Sequence, residues 1–398
     1  MWTSGPGRVA FCVGLYRSAS TWIFNVCQEI CRRRGLAYYS LFADASKPEM
    51  IDEIVKGRIC IAKSHVPDLG FRLSMAAFDP PVIISVRDPR DAVSSLVCQF
   101  RLSFKAAFSM LRASCDALAA MPPMRRAAIL KYESTDWRSS DGVRMISDIL
   151  GLPIDDADAE EIAHKFSSDS VRDFLARLES ERYFDDDASP AEQFHTETHF
   201  HPNHIGDGRV EKYRSILSPV QEKIVLRATA DFIRRFDYAI DVPRVESGET
   251  LDFAFGGQGY FHNGFGHSEP WGLWSEGADC EIRIPLARRA RRARLVLDCL
   301  LGPAFRFGHS GTVARIFVNG QLAQTASRGP EAVTAATFDL CCEFDSAMEC
   351  QIVIVFDQIM SPAEVGTNLK DHRKLGLGLR SLKITLDDEV SSFEPKQF

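Results

Sequence analysis

The pattern of apolar and polar positions changes character near residue 245, and each half predicts its own class of element. Before that point, short β-prone apolar runs at Val9–Gly14, Arg58–Ala62, Val82–Val86 and Ala128–Tyr132 alternate with stretches of helical spacing at Thr21–Arg33, Arg90–Phe100 and Pro219–Phe236. Such alternation predicts an α/β domain on a parallel sheet, over residues 1–245. Beyond Leu251 the period falls to two in "CEIRIPL", "ARLVLDCLL", "VARIFVNGQL", "CQIVIVFD" and "LRSLKITL", with a turn at Asn319-Gly320. These strands predict an all-β sandwich, jelly-roll-like, over residues 246–398. "DVPRVESGET" is the expected linker, and no internal repeat or long low-complexity tract is visible.

Composition adds few surprises. A chain of 398 residues, 45% apolar and 25% charged, has ample core for two globular domains. No charged segment followed by an apolar core opens the sequence, and no apolar run approaches the ~20 residues that span a bilayer, so an unexported cytoplasmic protein without a membrane span is expected. The 11 cysteines show no CxxC spacing and mostly sit in apolar runs, which fits buried thiols better than disulfides or zinc. A net charge of −7 argues against nucleic acid as a partner. The locally basic "ARRARRAR", Ala287 to Arg294, reads as a solvated turn leading into a strand at Leu295–Cys299.

Candidate chemistry begins where the first strand meets the first helix, at Tyr16-Arg17-Ser18-Ala19-Ser20-Thr21-Trp22. Backbone N–H groups at a helix N-terminus, with the dipole behind them, cradle an anion. The glycines and lysine of a nucleoside-triphosphatase loop and the GxGxxG of a dinucleotide fold are both absent. A second segment, "RICIAKSHVP", puts Lys63 and His65 two residues apart, so that an extended chain sends both side chains to one face. Read alone, a solvated strand end with an incidental histidine is the favoured reading. In the third, "VIISVRDPRDAVSSL", Asp88 is placed to cap a helix that starts at Pro89, Asp91 lies in its first turn, and Arg87 and Ser95 are left toward the crevice.

Together and in this order, the segments resemble the sulfotransferase family. The first is similar to its 5′-phosphosulfate loop, with Ala19 in place of the usual glycine and Arg17 where many members carry lysine. Alanine there implies a backbone without positive φ. The second is similar to the KTH or KSH segment, and the third to the 3′-phosphate motif RxPxDxxxS. The resemblance implies 3′-phosphoadenosine 5′-phosphosulfate as cosubstrate, no metal, and transfer of a sulfuryl group to a hydroxyl. His65 is then the base, Lys63 and Arg17 stabilise the leaving group, Ser18, Ala19, Ser20 and Thr21 hold the 5′-phosphate, Trp22 offers a face to adenine, and Arg87 and Ser95 bind the 3′-phosphate. Two looser matches extend it. Tyr132 of "LKYES" would reach the adenine, unless it is simply core. Gly206, Gly208 and Arg209 of "HIGDGRVEKYRS" fall where the family closes a glycine-rich segment over the 3′-phosphate, although His204-Ile205 replaces its Arg-Lys and Tyr213 its tryptophan.

His195, His199, His201 and His204 crowd one stretch beside Glu197, but their spacing matches no standard zinc motif, and a loop that faces the acceptor or is merely exposed is the expected reading. In the β-rich half, "GYFHNGFGHSEPWGLWSEG" gathers Tyr260, Phe261, Phe265, Trp271 and Trp274, which either stack on sugars or, as expected, seal a core. The segment is faintly similar to β-sandwich modules of bacterial glycan-processing enzymes, which points to a glycan or glycoconjugate acceptor. A non-catalytic glycan-binding or assembly protein is the alternative; a kinase lacks its loop here. Oligomeric state is not legible.

Overall fold

The computed structural model describes residues 8–45, 47–134, 136–185, 193–254, 260–307, 313–327 and 334–387; Gly259 and the side chain of Phe261 in the aromatic segment lie outside the described residues. The chain divides into two compact units, one of Met1–Val225 with Thr229–Ile240, the other of Leu226–Ala228 with Asp241–Phe398.

Five strands form the sheet of the first unit: β1 (Arg8–Gly14), β2 (Tyr38–Phe42), β3 (Ile59–Ser64), β4 (Val82–Val86) and β5 (Ala127–Lys131). All pairings are parallel, in the order β2-β3-β1-β4-β5. Helices fill the connections, as parallel pairing requires: α1 (Ser20–Arg33), α2 (Pro48–Val55), α3 (Leu69–Phe78), α4 (Pro89–Phe100) and α5 (Phe104–Ala119). After β5 come α6 (Ser140–Leu150), α7 (Asp156–Lys165), α8 (Ser168–Ser180), α9 (Tyr213–Ile216), α10 (Pro219–Ala228) and α11 (Ala230–Arg235). Strands β3 and β4 are buried along their whole length, which explains why their sequences are continuous apolar runs without alternation. The central strand, β1, has β3 on one side and β4 on the other, and such an order leaves a crevice beyond the carboxyl ends of the strands. Gly14 closes β1 there: a Cβ at this position would lie 2.1 Å from Ser85 Oγ and 2.7 Å from Ser20 Cβ.

Two boundaries differ from expectation. The strand expected at Arg58–Ala62 runs on to Ser64, so Lys63 is a strand residue and is buried. The single helix expected at Pro219–Phe236 is broken at Thr229, whose Oγ1 donates back to the Val225 carbonyl at 2.8 Å. That back-bond competes with the helical ladder.

The second unit is all-β apart from α12 (Pro303–Phe307). Its strands are β6 (Thr250–Asp252), β7 (Phe261–Asn263), β8 (Phe265–Glu269), β9 (Gly272–Ser275), β10 (Asp279–Leu301), β11 (Val313–Val318), β12 (Gln321–Ser327), β13 (Ala335–Phe356) and β14 (Leu377–Asp387). The antiparallel order is β12-β11-β13-β10-β14-β9-β8, with β6 beside β14 and β7 beside β10. Ile282 and Ile284 from one half of β10 and Leu295 and Leu297 from the other join one core with Ile352, Ile354, Leu382 and Ile384, so the sheet folds over itself as a sandwich.

The basic run is no turn. "ARRARRAR" lies inside β10, where Ala290 and Ala293 are buried and the arginines point outward. Arg292 pairs with Glu343 at 3.0 Å and Arg294 with Asp339 at 2.6 Å, both across to β13. Register shifts beside Ala290 let the strand bend while keeping its alanines inward. The tryptophans also depart from the core reading. Trp271 and Trp274 are half-buried and edge to face, centroids 5.2 Å apart, and Trp271 Nε1 donates to Glu269 Oε2 at 2.9 Å, whereas Tyr260 is core and Phe265 packs against it. All 11 cysteines are free, and only Cys98 and Cys341 are exposed. Among the described residues no helix is long and apolar enough to cross a membrane.

Candidate nucleotide-binding site

The strand ends deliver their segments to one cavity of about 370 Å³. From the turn after β1 come Arg17, Ala19, Ser20, Thr21 and Trp22; from the end of β3, Lys63 and His65; from the start of α4, Arg87 and Ser95; from the end of β5, Tyr132. The stretch before α9 adds Gly206 and Gly208. Two candidates are not brought in. Ser18 turns its hydroxyl inward, within 2.6 Å of the Leu15 carbonyl and 2.8 Å of Ser85 Oγ. The Arg209 side chain is 76% exposed and pairs with Asp207; only its carbonyl reaches the site, accepting from Arg87 Nη2 at 3.0 Å.

The turn after β1 corrects one expectation. Ala19 has φ 71° and Arg17 φ 64°, both left-handed, so replacing glycine with alanine has not removed the positive φ. A non-glycine residue pays roughly 1–2 kcal/mol for it. Left-handed residues in such a turn direct backbone N–H groups into a concavity, the geometry of an anion nest. Helix α1 starts immediately after, with no side chain capping it, so its first N–H groups face the same place.

Positive charge converges on this concavity. Lys63 Nζ donates to Thr21 Oγ1 at 2.7 Å, Arg17 Nε to Ser95 Oγ at 3.0 Å, and Arg17 Nη2 to the His204 carbonyl at 2.9 Å. Arg87 donates to the Arg17 carbonyl at 3.2 Å, its guanidinium lies 3.9 Å from the centre of the Tyr132 ring, and its buried Nε has no partner. Asp91 is its carboxylate neighbour, at 3.7 Å. Burial pushes the Lys63 ammonium down to about 7, with Arg17 acting in the same sense against Cys12 and Asp44. Burial likewise brings the Arg17 guanidinium down to about 10, helped by Arg87. No aspartate or glutamate is among the described residues that line the cavity. Bringing an anion in relieves this arrangement; bringing a cation in does not.

His65 is placed as a base. Its Nδ1 lies 2.6 Å from the Gly14 carbonyl, so Nδ1 carries the hydrogen and Nε2 is left as the acceptor. Burial, reinforced by Lys63, holds its pKa well below the usual histidine value, and the ring is neutral at pH 7. Tyr16 stacks on it at 4.3 Å. The segment is held by Asp44, whose Oδ1 accepts from Ser64 Oγ at 2.7 Å, His65 N at 3.1 Å and Val66 N at 3.0 Å. Asp44 follows β2, a strand the sequence pattern left unread, so nothing local marked it.

Helix α4 is capped as its sequence predicts, Asp88 Oδ1 accepting from Arg90 N at 2.9 Å. Asp91 does more than favour the dipole. It is buried and accepts from Glu211 N at 2.7 Å and Tyr213 N at 3.1 Å, which ties the glycine-containing stretch to α4. Tyr213 is clamped from its other side by Arg90, 4.0 Å above the ring.

The histidines split between packing and the cavity. His199 stacks on Phe24 at 4.7 Å, and burial pushes it down to about 3. His201 and His204 stack on each other at 5.9 Å and line the cavity with His199, whereas His195 packs edge-on to Phe174. Among the described residues no group of three or more His, Cys, Asp or Glu side chains stands where it could hold a metal ion. Sequence reasoning missed Lys212, Arg138, Trp137, Phe42, Phe100 and Phe194 on the cavity wall. Lys212 alone had a signal, its closeness to Gly208.

A scan against protein-family models gives no match, and a search of curated proteins gives none either. Solved structures with similarity include a mouse sulfotransferase, SULT7A1, complexed with PAP (13% identity, 58% of this chain and 85% of that chain, TM-score 0.42). A retinol dehydratase in complex with retinol and PAP follows at 16% identity, 60% and 84% coverage and TM-score 0.42. A family 35 carbohydrate-binding module from an environmental isolate overlaps 37% of this chain and 90% of its own at 16% identity and TM-score 0.19.

The left-handed alanine gives a direct test. Ala19→Gly removes the Cβ penalty at φ 71° and is expected to stabilise the protein by roughly 1 kcal/mol, less the added freedom of the unfolded chain. A denaturant melt checks it, with no loss of ligand affinity expected.

Proposed function

We propose that this chain transfers a sulfuryl group from 3′-phosphoadenosine 5′-phosphosulfate to a hydroxyl of a glycan or glycoconjugate. The observation that carries this reading is the convergence of Arg17, Lys63 and Arg87, with neutral His65, on one cavity without a lining carboxylate. In it, the backbone of Ser20 and Thr21 receives the 5′-phosphosulfate, and Arg87 and Ser95 receive the 3′-phosphate. His65 Nε2 takes the acceptor's proton as the acceptor oxygen bonds to sulfur. The bond from sulfur to the bridging oxygen breaks, and Lys63 and Arg17 stabilise the charge left on the nucleotide phosphate. Lys63 and His65 side by side favour the enzyme over a non-catalytic binding protein.

The acceptor has a second reading. Around His65 the wall is aromatic: Tyr16 at 4.3 Å and Phe42 at 5.7 Å face it, and Phe194 follows beside His199 at 5.5 Å. The described lining contains no Asp, Glu, Asn or Gln to bind sugar hydroxyls. This favours a hydroxyl carried on a flat apolar group. Turnover of a phenol against that of an oligosaccharide separates the two.

Three measurements test the site. Arg87→Ala is expected to weaken adenosine 3′,5′-bisphosphate on the order of 10- to 100-fold in calorimetry while barely changing adenosine 5′-phosphate; equal losses remove the assignment. His65→Ala should keep nucleotide affinity and lose on the order of 10²–10⁴ in turnover. Lys63 gives a pH signature. With its pKa at about 7 it is mostly neutral at pH 8, and a bound dianion favours the ammonium. Nucleotide binding at pH 8 therefore takes up a proton, and affinity falls as pH rises above about 7. Calorimetry in buffers of different ionisation enthalpy reads the uptake, which Lys63→Met abolishes.

A further inference from the structure

His65 is held by its backbone and by one ring nitrogen, and neither hold fixes the plane of the imidazole. Asp44 Oδ1 accepts from His65 N at 3.1 Å, Ser114 Oγ donates to the His65 carbonyl at 2.7 Å, and Nδ1 reaches the Gly14 carbonyl at 2.6 Å. One hydrogen bond at a ring nitrogen leaves rotation about its own direction weakly restrained. A neighbouring ring supplies the restraint. Tyr16 lies against one face of the imidazole, centres 4.3 Å apart and planes 25° from parallel, which leaves no room for water between them. Phe42 stands at 5.7 Å, tilted by 50° and itself 39% exposed, so it borders the ring without covering it. Tyr16 reaches this place because a turn starts there. Leu15, fully buried, continues the line of β1 through its N–H to the Ser85 carbonyl at 2.9 Å. Ser18 N then donates back to the Leu15 carbonyl at 3.2 Å, with Arg17 at φ 64°, so Tyr16 sits at the first corner of the turn and lines the cavity.

We infer that Tyr16 is a positioning residue for the base: its ring fixes the plane of the His65 imidazole and seals one face from water, so that the Nε2 lone pair is aimed at the acceptor hydroxyl. This rests on the sulfuryl-transfer reading above and deepens it. Two effects follow from the one contact. The first is aim, since a base works only when it points along the proton it removes. The second is neutrality. The charged or titratable groups that face the imidazole are Lys63 from β3, Arg17 from the turn after β1 and His201 from the stretch before α9, and all three act with burial against the imidazolium. The Gly14 carbonyl acts for it, and Asp44 meets the backbone. Burial is the largest of these influences, and the Tyr16 ring is what covers a whole face. Tyr16 brings no charge of its own, because burial, with Asp44 in the same sense, pushes its hydroxyl up to about 12.

The test uses the full chain and the variants Tyr16→Ala and Tyr16→Phe. The titration of the His65 ring protons is read by NMR, assigned with His65→Ala, and the pH profile of kcat is read with whichever of a phenol and an oligosaccharide is turned over. Calorimetry with adenosine 3′,5′-bisphosphate reports that the site is folded. Tyr16→Ala lets water reach the imidazole and is expected to raise the His65 titration by about one pH unit or more, moving the acidic limb of kcat up with it. At pH 8, where His65 is neutral in parent and variant alike, kcat should still fall on the order of 10-fold from lost aim. Bisphosphate affinity should change little, and Tyr16→Phe, which keeps the ring, should restore most of both losses. A Tyr16→Ala variant with the parent's titration and kcat profile overturns the inference. So does a Tyr16→Phe variant that loses as much as Tyr16→Ala, because the hydroxyl and not the ring face then acts, or a loss of turnover matched by a loss of bisphosphate affinity, because the turn itself has then collapsed. A parent chain that turns over neither acceptor removes the sulfuryl-transfer reading, and the NMR titration still decides whether Tyr16 governs His65.

Discussion

Buried positive charge with sparse acidic company is the constraint around which the α/β unit is arranged. Lys63 and Arg87 are each 3% exposed, and an ion removed from water costs several kcal/mol even after relaxation. Soluble proteins ordinarily offset this with a close carboxylate. Here the contacts are a threonine hydroxyl for Lys63, backbone carbonyls and a ring face for Arg87, and a serine hydroxyl for Arg17, with Asp91 standing 3.7 Å from Arg87. Carbonyls and hydroxyls soften the cost without cancelling the charge. The site is therefore under an electrostatic load that an anion would relieve.

Two buried or half-buried acids beside the site explain how the load is kept. Asp44 and Asp91 both accept from backbone N–H groups, two amides together with the Ser64 hydroxyl on Asp44 Oδ1 and two loop amides on Asp91. In that use a carboxylate organises a loop while its charge is dispersed into amides, and the neighbouring cations remain available. Asp44 fixes the backbone that carries Lys63 and His65. Asp91 fixes the stretch that runs from Gly208 to Tyr213. Each end of the cavity thus has its own anchor, and Arg17, bonded to Ser95 and to the His204 carbonyl, joins the two.

What the sequence disclosed was local, and what it hid was tertiary. Three segments could be read because each follows a strand end, and a parallel sheet brings all strand ends to one edge. The cap at Asp88 was legible for the same reason: donor and acceptor lie two residues apart. Ala19 misled because propensity describes an isolated residue, whereas the flanking strand and helix impose φ 71° on it. Arg138 and Asp44 gave no readable pattern, and Lys212 only its closeness to Gly208, since their meaning lies in what folds against them. The basic run in β10 misled by composition: outward arginines and inward alanines are a strand pattern only when acids on β13 stand opposite. The half-buried tryptophans show the converse, large aromatics that a core did not claim.

The long strand β10 has one further consequence, for the order in which the chain acquires structure during synthesis. Every strand of the parallel sheet is present once Lys131 has left the ribosome, and its pairings join segments of modest separation. Strand β10, by contrast, matches Asp279 to Val355 on one side and Arg292 to Asp387 on the other. Its edge toward β14 stays open through nearly a hundred further residues of translation. Such distant closure is slow, and an unpaired apolar strand invites wrong partners while it waits. The outward arginines of β10 give that waiting edge a like charge, which keeps two nascent copies from zipping together before β14 arrives.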